Sequence, residues 1–176
     1  MTDIETSQTS ISFHVIGVIR TLFPRPRGTP IQPSRAGGAI ATVEIFSPYR
    51  QGLKDLDGFD RIWLVYWMHQ APEGRLLVTP FLDKQKRGVF ATRAPTRPNA
   101  LGISSVRLLR IDGGAMVVTG ADIVDGTPLL DVKPYVPEFD SFPGSRAGWL
   151  DNSRKKRRVA DDRFSATPSK AGRPKR

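Results

Sequence analysis

RIWLVYWMHQ, residues 61–70, is a nearly unbroken apolar run rich in aromatic and branched side chains. Such residues fit a pleated, buried surface better than a helix. The run predicts a buried strand, with Trp63, Tyr66 and Trp67 in the core rather than forming a base-stacking platform. Upstream, ISFHVIGVIR (11–20) and AIATVEIF (39–46) predict two more strands. Downstream, RLLVTP (75–80), GVFATR (88–93), SSVRLLRID (104–112), AMVVTG (115–120) and ADIV (121–124) are short segments broken by glycine or proline. Helical patterning is confined to SPYRQGLKDLDGF (47–59), where Ser47 can cap and Pro48 can start a short helix. Short strands at this spacing predict an all-β barrel or sandwich.

The segment TLFPRPRGTPIQPSRAGG (21–38) has four prolines and three glycines in eighteen residues, so it reads as a long irregular loop. Loops of that length in a small domain tend to be functional. Composition bounds the rest. At 176 residues with 39% hydrophobic and 25% charged side chains, the chain can form one packed domain. Residues 1–10 read as disordered, 11–150 as the domain, and 151–176 as a disordered basic tail.

The net charge of +10 is concentrated in that tail, where ten Lys or Arg face three Asp; the first 150 residues carry only +3. The run SRKKRR (153–158) suits phosphate neutralisation with salt-dependent affinity. A merely solvated terminus is the other reading. No cysteine is present, which removes disulfides and thiol chemistry, and two histidines, His14 and His69, are too few for a histidine-rich zinc site. No apolar run approaches the ~20 residues of a membrane span, and the N-terminus lacks a signal-peptide pattern. A soluble, cytoplasmic protein without a metal or a membrane partner is the expectation.

Three stretches can carry chemistry. In GVFATRAPTRPNALGIS (88–104), Arg93 and Arg97 lie four apart among prolines that stiffen the backbone. Their planar forks suit carboxylate or phosphate; the alternative is a surface loop capped by Asn99. In DIVDGTPLLDVKPYVPEFD (122–140), Asp122, Asp125 and Asp131 gather around turn chemistry, with Lys133 and Tyr135 beyond. These carboxylates could hold a ribose, an amine or a cation, although an Asx-turn at Gly126 is the favoured role for Asp125. His69 and Gln70 end the aromatic strand, where a histidine serves either as a general base or as a structural group. No G-x-S-x-G, Walker A or G-x-G-x-x-G pattern occurs.

In order, IGVIR (16–20), QP (32–33), GLKDLDGFDRIWLVYWMHQ (52–70), GVFATRAPTRPNALGIS (88–104) and DIVDGTPLLDVKPYVP (122–137) resemble the TrmO (YaeB-like) family of tRNA methyltransferases. The likeness runs from about Ile16 to about Asp140. It implies a single β-barrel domain with short helices, unrelated to Rossmann-type methyltransferases. It also implies S-adenosyl-L-methionine as cofactor, a homodimer, and tRNA as partner. The implied reaction methylates N6 of threonylcarbamoyladenosine next to the anticodon. Cofactor contacts implied by motif position are Pro30, Ile31, Gln32, His69, Gln70, Arg93, Ile103, Asp122, Ile123, Val124 and Asp125. Arg97, Asn99, Lys133 and Tyr135 are candidate substrate contacts, and His69 or Asp122 the candidate catalytic base.

The chain departs from the family at Thr21-Leu22-Phe23, where Ser-Pro often precedes the aromatic, and at Ala100, where many members have proline. It leaves the pattern near Asp140, where longer members continue into a second domain, which bears on the RNA grip. The alternative functions are a non-catalytic RNA-binding barrel and a methyltransferase of this fold with another acceptor. Deleting residues 153–176 is expected to weaken RNA binding while leaving cofactor affinity intact.

Overall fold

A computed structural model describes residues 10–151 and 159–165. The basic run 153–158 and nearly all of the N-terminal segment expected to be disordered lie outside the described residues.

Six strands close into an antiparallel barrel: β1 (Gly17–Arg20), β2 (Ile40–Ile45), β3 (Arg61–Trp67), β6 (Leu101–Asp112), β7 (Ala115–Thr119) and β8 (Thr127–Pro134), in the spatial order β1-β2-β7-β6-β3-β8. The barrel is sealed by β1 against β8, with Gly17 opposite Leu129. A short hairpin, β4 (Leu77–Val78) with β5 (Arg87–Gly88), sits beside it. The connection from β6 to β7 is the pair Gly113-Gly114, both at positive φ, 55° and 92°. Two such residues match the turn whose twist suits a hairpin, and only glycine adopts them without strain.

Side chains alternate along each strand, and one face fills the barrel. Ile19, Val43, Ile62, Leu64, Val106, Met116, Val118 and Leu129 meet there with no exposed surface. A satellite cluster of Val78, Val89, Ala94 and Phe164 lies under the hairpin, with Phe81 against it.

The all-β barrel expectation holds, and several local expectations are corrected. β3 is buried on one face only: Ile62, Leu64 and Tyr66 point inward, while Trp67 is 49% exposed and Trp63 packs outside on Tyr135. A barrel wall has an outer surface, so a continuous apolar run need not be buried on both sides. The first strand covers only 17–20 of the expected 11–20, and ADIV forms no strand. GVFATR contributes one strand residue and then a 3-10 turn, Val89–Ala91. The 47–59 segment forms 3-10 turns, Ser47–Leu53 and Leu56–Gly58, and the N-cap is Phe46 rather than Ser47. β8 spans a stretch whose turn signals and two prolines concealed a strand. Residues 159–165 are not disordered: Val159 bridges Pro30, and Phe164 is buried because its ring fills the satellite cluster.

Candidate active site

The loops at one end of the barrel enclose a cleft of about 260 Å³. Its wall draws mainly on the proline-rich loop through Thr29–Gln32, the end of β3 with Met68–Ala71, the loop holding Arg93 and Arg97, and the connection Asp122–Val124 between β7 and β8, with Phe81, the start of β6 and Ala160, Asp161 and Phe164 completing it. Prolines and glycines keep these segments out of the sheet while the strands fix their ends.

A hydrogen-bonded chain runs from the barrel interior to this cleft. Ser104 Oγ donates to Asp122 Oδ1 at 2.5 Å, and Tyr66 Oη lies 3.0 Å from Ser104 Oγ. Serine has one hydroxyl proton. With that proton on Asp122, Tyr66 is the donor to Ser104. The register makes this possible, because Tyr66 pairs with Gly102 across β3 and β6. A Cβ at 102 would overlap the Tyr66 ring, so glycine is required for the ring to lie flat against the strand.

Burial sets the electrostatics. Loss of solvent pushes the Asp122 carboxyl up to about 6, against the opposing pulls of the Ser104 hydrogen bond, a backbone hydrogen bond and the Arg93 charge. Tyr66 is raised above its ordinary value, first by burial and then by the charge of Asp122. His69 is lowered by burial, although Asp125 pulls it back.

His69 is held on both sides. Thr127 Oγ1 donates to Val124 O at 2.7 Å, so it can only accept from His69 Nδ1, 3.4 Å away. That leaves His69 Nε2 as the acceptor, 3.4 Å from Gln70 Nε2. The contacts are long, but together with the lowered pKa they describe a neutral, oriented imidazole.

The structure gathers Pro30, Ile31, Gln32, His69, Gln70, Arg93, Arg97, Ile103, Asp122, Ile123 and Val124 around the cleft. Arg93 Nη1 donates to Gln32 Oε1 at 2.9 Å, tying two of the loops together. Arg97 turns inward, its Nη1 donating to Thr92 O at 2.9 Å and to Val89 O and Ala94 O at 3.3 Å.

Asp125, Asn99, Lys133 and Tyr135 do not border the cleft. The backbone turns at Asp125-Gly126 as expected, but the Asp125 carboxylate accepts from Thr21 N at 2.9 Å, bracing the loop after β1. Lys133 pairs with Asp131 at 2.8 Å on the exposed end of β8.

Reading the sequence missed Ser104, Thr127 and Phe81, and took Tyr66 for core only. Tyr66 is indeed buried, but its hydroxyl belongs to the site. Its register partner Gly102 was the one available signal.

The cleft matches the chemistry of S-adenosylmethionine in kind. It lies near the ~300 Å³ lower end of small-molecule sites. Apolar and aromatic side chains (Met68, Phe81, Ile103) stand on its walls, a guanidinium can meet a carboxylate, and Asp122 can face a cation or an amine.

Three relatives are informative. The chain is 48% identical over 153 residues to a probable S-adenosyl-L-methionine-binding protein of Pyrococcus abyssi, covering 86% of this chain and 83% of that protein. It is 38% identical to the mouse tRNA (adenine(37)-N6)-methyltransferase, covering 72% of this chain but 31% of that enzyme. A crystal structure of TrmO from P. aeruginosa superposes with a TM-score of 0.70 at 38% identity, covering 84% of this chain and 64% of that one. Residues 18–141 match the model of the tRNA-methyltransferase O N-terminal domain, and the chain belongs to that family.

Proposed function

We propose that this protein is an S-adenosylmethionine-dependent methyltransferase that modifies N6 of the adenine beside a tRNA anticodon, with threonylcarbamoyladenosine as the acceptor. One observation carries the reading: Asp122 stands at the cleft with a carboxyl pushed up to about 6 and oriented by the Tyr66–Ser104 chain.

When bound, the cofactor supplies an electrophilic methyl group on a good leaving group, so the protein needs no nucleophile of its own. Its residues have to position, exclude water and accept one proton. Gln32, Gln70 and Arg93 would hold the polar ends of the cofactor, with Met68, Ile103 and Ile123 against its apolar parts. The acceptor nitrogen belongs to a urea-like group and is a weak nucleophile until its proton is removed.

Asp122 is the base. Its pKa near 6 leaves it ionised at neutral pH yet more basic than an ordinary carboxylate. His69 is the weaker candidate, since its lowered pKa and its two ring contacts suit a fixed wall. The tRNA is the partner, in the cytoplasm. The outward Trp67 beside the cleft, with Leu101 and Ile103 half exposed on its rim, gives a second copy of the chain an apolar surface to cover, as a homodimer requires.

The test is nucleoside mass spectrometry of tRNA incubated with enzyme and cofactor. Methylated threonylcarbamoyladenosine is expected from tRNA that carries the modification, and no product from tRNA that lacks it. Cofactor binding with methylation elsewhere would point to another acceptor. Cofactor and RNA binding without any product would point to a non-catalytic module.

A further inference from the structure

We propose that residues 159–165 form part of the cofactor site itself: a strap that completes the cleft and holds the donor against Phe164. This rests on the methyltransferase reading above. The strap lies beyond the family-matched region, which ends at 141, and none of the motif-derived contacts falls on it.

The strap joins two segments that both border the cleft. On one side Val159 bridges Pro30, Ala160 N–H donates to Thr29 O at 2.8 Å, and Gly28 N–H donates to Ala160 O at 3.0 Å. Asp162 pairs with Arg27 at 2.9 Å. On the other side Arg163 Nη1 donates to Pro80 O at 2.8 Å, and its guanidinium lies 5.2 Å from the centre of the Phe81 ring. Asp161 accepts from the backbone N–H of Arg163, capping the short 3-10 turn that presents Phe164. Phe164 is 6% exposed and meets Phe81 edge-on, with ring centres 4.9 Å apart.

Ala160, Asp161 and Phe164 all stand on the cleft wall, next to Pro26, Pro30 and Phe81. Apart from Asp161, whose carboxylate pairs with Arg163 at 2.9 Å, this part of the wall is apolar and aromatic, which complements a flat adenine better than a sulfonium or a zwitterion. The charged parts of the donor belong with Asp122 and Arg93. A molecule held between the strap and the barrel loops binds only while the strap is docked. Binding and docking are therefore linked, and saturation must suppress strap opening. The expectation that cutting the chain at 153 spares cofactor affinity is revised accordingly, because that cut removes the strap together with the basic run.

Hydrogen exchange on the full chain tests this without a mutation. With S-adenosylmethionine at a hundred times its Kd, exchange at the Ala160 and Gly28 amides is expected to slow by up to about 100-fold. In parallel, calorimetric titration of Phe164→Ala is expected to show affinity reduced about tenfold or more, and Phe164→Leu, which keeps apolar bulk, an intermediate loss. Thermal melting of both variants checks that the barrel is intact. If the wild type binds the cofactor while strap exchange is unchanged and Phe164→Ala binds within twofold, the strap proposal is overturned and the methyltransferase reading stands. If the wild type does not bind the cofactor at all, both are overturned.

Discussion

Ser104 Oγ lies 2.5 Å from Asp122 Oδ1, and Ser104 is itself 1% exposed, so the hydroxyl that orients this carboxylate is sealed inside the barrel. The hydrogen bond favours the ionised carboxylate and burial opposes it; burial wins, and the group titrates near 6. Activity is expected to rise as pH increases through about 6 and then level off. Ser104→Ala removes the hydrogen bond that lowers the pKa, so the midpoint of its pH–rate profile moves upward. A loss of rate with an unmoved midpoint would mean that Ser104 has only a packing role.

Asp122→Asn separates stability from catalysis. The carboxyl's ordinary value is 3.8 and its folded value about 6. Below about pH 3 both folded and unfolded chains hold the proton, and burial of the group carries no ionic penalty. As pH rises from about 3 to about 6 the unfolded chain releases its proton first, so the folded state loses stability; above that the penalty is constant. The asparagine variant is expected to be more stable than wild type at about pH 8, by at most about 3 kcal/mol, with the difference vanishing at about pH 3. Its methyl transfer falls by about 10²–10⁴-fold. Denaturant melts at the two pH values and single-turnover rates check both halves.

Gly102→Ala places a methyl group where the Tyr66 ring lies. The ring must move, which costs about 1–3 kcal/mol of stability and pulls the tyrosine hydroxyl away from Ser104. Reduced denaturation midpoint together with a shifted pH–rate profile is the expected pair of results.

Arg93 and Arg97 are four residues apart and have different tasks. Arg97 serves three carbonyls of its own loop, so Arg97→Ala is expected to lower stability by about 1–3 kcal/mol. Arg93 extends from its loop to touch Gln32. Arg93→Ala is expected to change stability by less than about 0.5 kcal/mol while weakening cofactor binding. Thermal melts and calorimetric titrations of both variants separate the two roles.

The basic run Lys155-Lys156-Arg157-Arg158 can be tested by replacing all four with glutamine. Affinity for tRNA is expected to fall, and its logarithmic salt slope to shrink by roughly 0.7 for each phosphate that is no longer neutralised. Binding measured between low and moderate salt reads this directly. Unchanged binding at low salt would leave the run as a solvated linker.

The barrel was legible in the alternating strands, and the cleft in the proline- and glycine-bearing motifs. Local pattern could not reveal that β3 has an outer face, since Trp63 and Trp67 are as apolar as the buried Leu64. β8 was obscured because Pro128 and Pro134 argue against a strand, yet both sit in the ladder at barrel positions. The chain from Tyr66 to Asp122 depends on register, and Phe81 meets Phe164 across a long sequence separation without any motif. Asp125 shows the limit in the other direction: it stands inside a telling motif and braces Thr21 instead.

Barrel closure has a kinetic consequence. Gly17 pairs with Leu129, so the first strand finds its second neighbour only when the last strand is in place. Pairings between residues this far apart in the chain form late and slowly, because the loop must be closed before any pairing rewards it. Refolding is expected in the millisecond-to-second range typical of such topologies. The seam between the first and last strands is where assembly of the barrel finishes.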